Sequence, residues 1–240
     1  FFAFESEAWR RCFTEQKVLT KVFRQRDEAF LTILNELRVN SLSNRSVALL
    51  RRLKATDFSA WTREGVEPTR LSCYNRDVDA INAASLERLY AGDGLRSFEA
   101  VDRGQETYLA NLRKNGPFPD RLDLCVGAQV MLLSNLDVEG GLVNGSRGVV
   151  SGFVAENAKP LPEGQIHHAR DITGVSVKFT TGRTHVVARD KKAVTEGDQE
   201  KASRTQFPLR LAWAISIHKS QGQTLDLLEV DLKGCFEYGQ

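Results

Sequence analysis

Apolar and polar positions alternate with different periods along the chain, and the changes of period divide it. After Asp27, the residues Phe30, Ile33, Leu34 and Leu37 fall at i, i+3, i+4 and i+7, which predicts a helix with one apolar face and Asp27 as its cap. A second helix is predicted after Ser43, with Val47, Leu50 and Leu53 on one side. Upstream, Val18 to Phe23 reads as a strand, and Phe2, Phe4 and Trp9 read as ordinary core aromatics. Thr69 to Tyr74 reads as a strand leading into a helix capped by Asn75, whose inner face carries Val78, Ile81, Asn82, Ser85, Leu86 and Leu89. Strand, loop and helix in that order point to an α/β fold.

The texture then shifts. Asn115-Gly116-Pro117-Phe118-Pro119 marks a boundary, and from Leu122 to Arg189 short β runs follow at Ala128–Leu133, Arg147–Val154, Gly174–Thr180 and Thr184–Arg189. Thr181-Gly182-Arg183 predicts a tight hairpin between the last two. Short strands with glycine turns suggest a small barrel. Residues 191–206, rich in Lys, Glu, Gln and Ser, read as a solvated connector, and Leu227 to Leu232 as a final strand.

Just before that strand lies the polar cluster His218-Lys219-Ser220-Gln221-Gly222-Gln223-Thr224, held between two apolar stretches. Buried flanks would fix its donors and its cation at the end of a sheet, where a glycine lets the backbone come close to a phosphate. Global charge adds little, since 33 Lys and Arg against 31 Asp and Glu give +2, which excludes a polycationic binder and leaves nucleic-acid contact to local patches. Cys12, Cys73, Cys125 and Cys235 are far apart with no Cys-X-X-Cys pair, so neither a zinc knuckle nor a disulfide framework is suggested. Adjacent His167 and His168 would point to opposite faces of an extended chain, which argues against shared metal ligation. Gly140 to Arg147 imitates the glycine spacing of a phosphate loop, but Ser146 and Arg147 stand where Lys-Ser/Thr is required, and Asn144-Gly145 reads as a turn. Apolar runs are too short for a membrane span and the start is no signal peptide, so the chain reads as soluble and intracellular with reduced thiols.

The segment Leu211-Ala212-Trp213-Ala214-Ile215-Ser216-Ile217-His218-Lys219-Ser220-Gln221-Gly222 is similar to the fifth motif of the PIF-one (petite integration frequency) family of superfamily-one DNA helicases. Val18 to Gln25 resembles that family's fourth motif, and Leu71–Asn82 and Val126–Asp137 agree with it in family order. The resemblance implies an ATP-dependent helicase moving five-prime to three-prime on single-stranded DNA. It implies a RecA-like second helicase domain with a parallel sheet, formed by residues 17–121 and 207–240. Residues 122–206 would be an inserted Src-homology-three-like (SH3-like) barrel, and residues 1–16 the tail of the first RecA-like domain.

For the site, the resemblance implies that Arg24 reaches the terminal phosphates of ATP and stabilises charge during phosphoryl transfer, where a lone arginine would be read as a surface partner of Asp27 or Glu28. Gln221 and Gly222 would sense the nucleotide, while His218, Ser220 and Thr224 would contact the DNA backbone. Lys219 is either a phosphate contact or solvated charge. Asn75 and Arg76 serve either as a helix start or as phosphate contacts. Tyr74, Trp61 and Phe118 could stack on bases, with core packing the expected fate of each. The sequence contains no phosphate loop of the Gly-X-X-X-X-Gly-Lys-Ser/Thr form and no strand ending in paired acids, so ATP and Mg2+ are expected to be held mainly by a preceding domain.

The chain is therefore expected to be a fragment, inactive alone, of a monomeric enzyme acting on single-stranded and forked or structured DNA. Family roles place that enzyme in DNA repair, recombination and telomere maintenance, in nucleus or mitochondrion. Two other readings stand beside it: a non-catalytic module that binds single strands or regulates, and a relic of a transposon-borne helicase.

Overall fold

A computed structural model describes residues 2–15, 17–23, 25, 27–55, 62, 64–90, 94–155, 171–223, 225, 227–232 and 234–235. The chain divides into two compact units, Phe1–Thr56 and Asp57–Gln240.

The first unit is helical. A short 3-10 turn, Ala3–Glu5, precedes α1 (Glu7–Cys12), α2 (Glu28–Arg38) and α3 (Asn44–Ala55). The expected start of α2 is borne out: the Asp27 carboxylate accepts from the Phe30 amide at 3.0 Å, and Ile33 is the residue of the apolar stripe that is buried. α3 begins where Ser43 predicts, with the Ser43 hydroxyl accepting from the Ser46 amide at 3.2 Å. Two expectations fail here. Val18 to Phe23 form no strand, and Val18 and Leu19 are 83% and 95% exposed. Strand backbone needs a neighbouring strand for its hydrogen bonds, and no described residue of this unit belongs to one. Phe2, Phe4 and Trp9 are also exposed instead of core, with Phe2 stacked on Phe4 and Trp9 tilted against Phe13, because so short a turn and helix offer them each other and little else.

The second unit is mixed α/β. In chain order it comprises β1 (Thr69–Ser72), α4 (Asn75–Leu89), β2 (Arg96–Glu99), β3 (Val101–Gly104), α5 (Glu106–Asn115), β4 (Arg121–Leu124) and β5 (Gln129–Leu132). Then come β6 (Arg147–Ala155), β7 (Ile172–Phe179), β8 (Thr184–Ala188), β9 (Asp190–Glu196) and β10 (Gln199–Gln206). The unit closes with β11 (Leu209–Leu211), β12 (Ala214–Ser216), α6 (Ile217–Ser220) and β13 (Leu228–Val230). A parallel sheet has the order β12-β1-β13, and an antiparallel sheet the order β11-β5-β6-β7-β8. β3-β10-β9 and β2-β4 form two smaller antiparallel ladders.

The four β runs foreseen between Ala128 and Arg189 all form, and Gly182 makes the predicted hairpin with φ +81, its amide donating to the Phe179 carbonyl at 2.9 Å. The order of that sheet is open: β11 and β8 are its edges and are not hydrogen-bonded to each other among the described residues. The solvated connector expected over 191–206 is instead the β9–β10 hairpin. Its polar side chains do not oppose a strand, because the ladder uses backbone groups, and β10 pairs with β3 on one side and β9 on the other. The link Gly197-Asp198, with Gly197 at φ +59, is the sequence signal for that hairpin. Burial on β10 is specific too: Arg204 lies between Asp102 of β3 and Asp120, and Arg113 of α5 donates to Asp102 at 2.9 Å.

β5 is buried on both faces. Val130 and Leu132 enter the large core with Phe98, Val177 and Phe207, whereas Met131 between them joins Leu71, Ala212 and Ile215 under the parallel sheet. Polar groups reinforce this junction. The Arg147 guanidinium of β6, 2% exposed, donates to the Thr69 hydroxyl and to the Leu227 carbonyl, both at 2.8 Å. Buried Gln129 accepts from the Glu67 amide at 2.8 Å and donates to the carbonyls of Glu67 and Ala212 at 3.1 and 2.9 Å. Thr69 also donates to the Ala212 carbonyl at 2.8 Å. Arg147 therefore has a structural role, in agreement with the reading of Gly140–Arg147 as no phosphate loop.

Replacing Arg147 by Met keeps the stem but leaves the half-buried Leu227 carbonyl with one donor fewer. The expected loss is about 2–3 kcal/mol, read as a fall of roughly 4–12 °C in the thermal midpoint by circular dichroism. An unchanged midpoint would show that this guanidinium does not hold the two sheets.

Candidate functional site

β1 and β12 run parallel with Ser72 opposite Ser216, so their C-terminal ends leave the sheet side by side. The chain continues from β1 through Cys73 and Tyr74 into α4, and from β12 directly into α6. This brings the Asn75–Arg76 segment and the His218–Gln223 segment to one edge, the place where open parallel sheets present their ligand-binding loops.

Each segment is fixed from beneath. The Asn82 amide of α4 donates to the Ala214 carbonyl and accepts from the Ala214 amide, both at 3.0 Å, so a side chain completes the outer edge of β12 as another strand would. Asn82 is thus buried and structural, and it sets α4 against the strand that launches the polar cluster. On the other side, Gly145, at φ +94, packs so closely on Gln223 that a Cβ there would lie 3.2 Å from the Gln223 Cβ. The Asn144-Gly145 turn is therefore a turn, as its sequence suggests, and it also supports the cluster.

Within the cluster, His218, Lys219, Gln221 and Gly222 are exposed. The Ser220 hydroxyl donates to the Ile217 carbonyl at 2.7 Å, so it meets a ligand as an acceptor unless it rotates. Gly222 takes φ +79 with open space where a side chain would be, which leaves its backbone approachable. The Gln223 amide closes the turn on the Ser220 carbonyl at 3.0 Å. Partial burial of the Lys219 ammonium lowers its pKa, the like charge of Arg210 adds to this, and Asp79 opposes both. Arg210 on β11 is likewise lowered, chiefly by burial, again opposed by Asp79. The cations thus share one carboxylate, an arrangement that favours an incoming anion. Arg210 was not anticipated. Its signal is the Leu-Arg-Leu alternation of β11, which puts it on the face opposite Leu209 and Leu211.

Asn75 is not the cap of α4. Tyr74, extended at φ −110 and ψ 134, is the N-cap and supplies no side-chain cap bond, so Asn75 is the first helical residue. The strand ends at Ser72 and the chain bends at Cys73, so the helix starts one residue earlier than an Asn75 cap requires. Asn75 and Arg76 are exposed there, with the Arg76 guanidinium 3.5 Å from Asp77. Of the candidate stacking aromatics, Phe118 is buried as expected and Tyr74 is exposed. Arg24, Thr224, Trp61, His167 and His168 lie outside the described residues. Among the described residues no group of three or more His, Cys, Asp and Glu is placed to hold a metal ion. No helix among them is long and apolar enough to cross a membrane.

Residues 107–153 match the family described as DNA helicase Pif1, 2B domain. Over 239 residues, 100% of this chain, the sequence is 40% identical to the ATP-dependent DNA helicase PIF1 of Homo sapiens, of which it covers 34%. The crystal structure of Pif1 helicase from Candida albicans is similar with a TM-score of 0.70 at 33% identity, over 100% of this chain and 56% of that one. Pif1 helicase from Bacteroides in complex with ADP-AlF3 and ssDNA gives a TM-score of 0.54 at 31% identity, over 88% of this chain and 44% of that one.

Asn82→Ala should remove both bonds to Ala214 and destabilise by about 1–3 kcal/mol. Amide exchange should accelerate in peptides covering 212–220 and stay unchanged in 172–188. Equal acceleration in both would contradict a local support of the cluster.

Proposed function

This chain belongs to the Pif1 helicase family while spanning about a third of the human relative's length, and from that footing we propose that it forms the C-terminal motor half of an ATP-dependent DNA helicase. The intact enzyme would move five-prime to three-prime on single-stranded DNA. The observation that carries the reading is the shared edge of β1 and β12, which gathers Asn75, Arg76, His218, Lys219 and Gln221 beside one another on a parallel sheet.

In this reading His218, Lys219, Ser220 and Thr224 hold the DNA backbone with Asn75 and Arg76, and Arg210 adds positive charge beneath them. Phosphates accept hydrogen bonds from these donors without regard to base, as a translocating motor requires, with the Ser220 hydroxyl rotating from the Ile217 carbonyl to donate. Gln221 and the open backbone of Gly222 face the nucleotide, and Arg24 reaches its terminal phosphates, where a planar guanidinium neutralises charge as it develops. The phosphate cradle and the Mg2+ ligands belong to another domain, so the chain alone neither hydrolyses ATP nor unwinds duplexes. The antiparallel sheet would be the SH3-like insertion of such a motor. Work on forked or structured DNA as a monomer, in repair, recombination and telomere maintenance within nucleus or mitochondrion, rests on the family resemblance.

The test uses the full-length protein that carries this segment. Arg24→Ala should lower the ATPase kcat by about 10³-fold or more while leaving affinity for single-stranded oligonucleotide unchanged. Lys219→Ala should weaken DNA binding and make the slope of log affinity against log salt shallower by about 0.7. Salt-independent DNA binding in the parent protein, or full ATPase activity without Arg24, would overturn the assignment.

A further inference from the structure

Cys73 and Cys235, 162 residues apart in sequence, face each other with their sulfurs 3.0 Å apart. Cys73 is buried at the C-terminal end of β1, and Cys235 is exposed in the segment after β13. Because β13 pairs parallel with β1, both chains leave the sheet at the same end, and the Asp231 amide donates to the Leu71 carbonyl at 3.2 Å as they part. Next to Cys235, Gly234 lies against the Tyr74 ring, where a Cβ would sit 3.1 Å from Cε2. The two thiols therefore rest on a matched pair of backbones, held by a ladder on one side and an aromatic contact on the other.

We propose that Cys73 and Cys235 are a redox-convertible dithiol that closes to a disulfide at the edge of the site. The inference does not depend on the helicase reading. With a small-molecule disulfide such as oxidised glutathione, the exposed Cys235 thiolate attacks one sulfur, forming a mixed disulfide and expelling one glutathione thiolate. Cys73, deprotonated, then attacks the Cys235 sulfur and expels the second. Two cysteine protons are released, two glutathione thiols form, and the protein loses two hydrogen atoms. The Cys73 thiol is pushed up to about 11, first by its hydrogen bond with Cys235 and then by burial. Oxidation thus begins at the exposed partner, and the buried one resolves it. The new bond would fasten the segment after β13 to the β1–α4 loop and restrain Asn75 and Arg76 beside it.

The experiment treats the full native chain with oxidised glutathione and digests it with trypsin under acid-quenched, non-reducing conditions. The peptide Leu71–Arg76 should appear cross-linked to the peptide beginning at Gly234. Dithiothreitol should abolish the cross-link, and so should either Cys73→Ser or Cys235→Ser, whereas Cys125→Ser should leave it intact. Glutathione adducts alone on the exposed Cys12 and Cys235, in protein whose circular dichroism is native, would overturn the proposal. So would pairing of Cys73 with Cys125.

Discussion

A single buried guanidinium joins the two principal sheets of the second unit. Arg147 rises from β6 of the antiparallel sheet and gives one nitrogen to Thr69, which begins β1, and to the carbonyl of Leu227, just before β13. Thr69 passes the connection to Ala212, whose carbonyl also accepts from Gln129 of β5. A charge taken out of water is tolerable only where such acceptors converge on it. Every strand that launches a loop toward the candidate site is therefore within one or two hydrogen bonds of this group. The antiparallel sheet is a support of the site and not an appendage to it.

Above that junction the site is assembled by topology more than by local sequence. Two parallel strands end together, Asn82 seals the outer edge of one of them, and the Asn144-Gly145 turn props the cluster from the far side. Backbone contacts fix where the donors stand, while the exposed side chains of His218, Lys219 and Arg76 remain able to follow a ligand. Arg210 and Lys219 crowd like charges together at one end of the sheet, with Asp79 as their shared counter-charge. That crowding is local, since the whole chain carries only +2.

What could be read from sequence was what depends on near neighbours. The Asp27 cap, the apolar stripe through Ile33, the Gly182 hairpin and the strand–loop–helix of β1 and α4 each follow from residues a few positions apart. Features needing a distant partner were hidden. Val18 to Phe23 has a strand's composition but no described strand in its unit to pair with, and the β9–β10 hairpin has a loop's composition but a partner on each side. The structural roles of Gln129, Arg147 and Asn82 could not be read because their acceptors lie 62 to 132 positions away. The polar cluster was legible as chemistry. Its companion Arg210 was not, since nothing in one strand reveals that burial and Lys219 await it across the fold.

Met131 gives the two-faced burial of β5 a wider meaning. One strand contributes alternate side chains to two cores, so neither core is complete without it. An inserted segment with its own closed interior could be transplanted or lost with little effect on its host. The antiparallel sheet here is not of that kind: removing it would unroof Leu71 and Ile215 as well, so the two sheets of this unit stand or fall together.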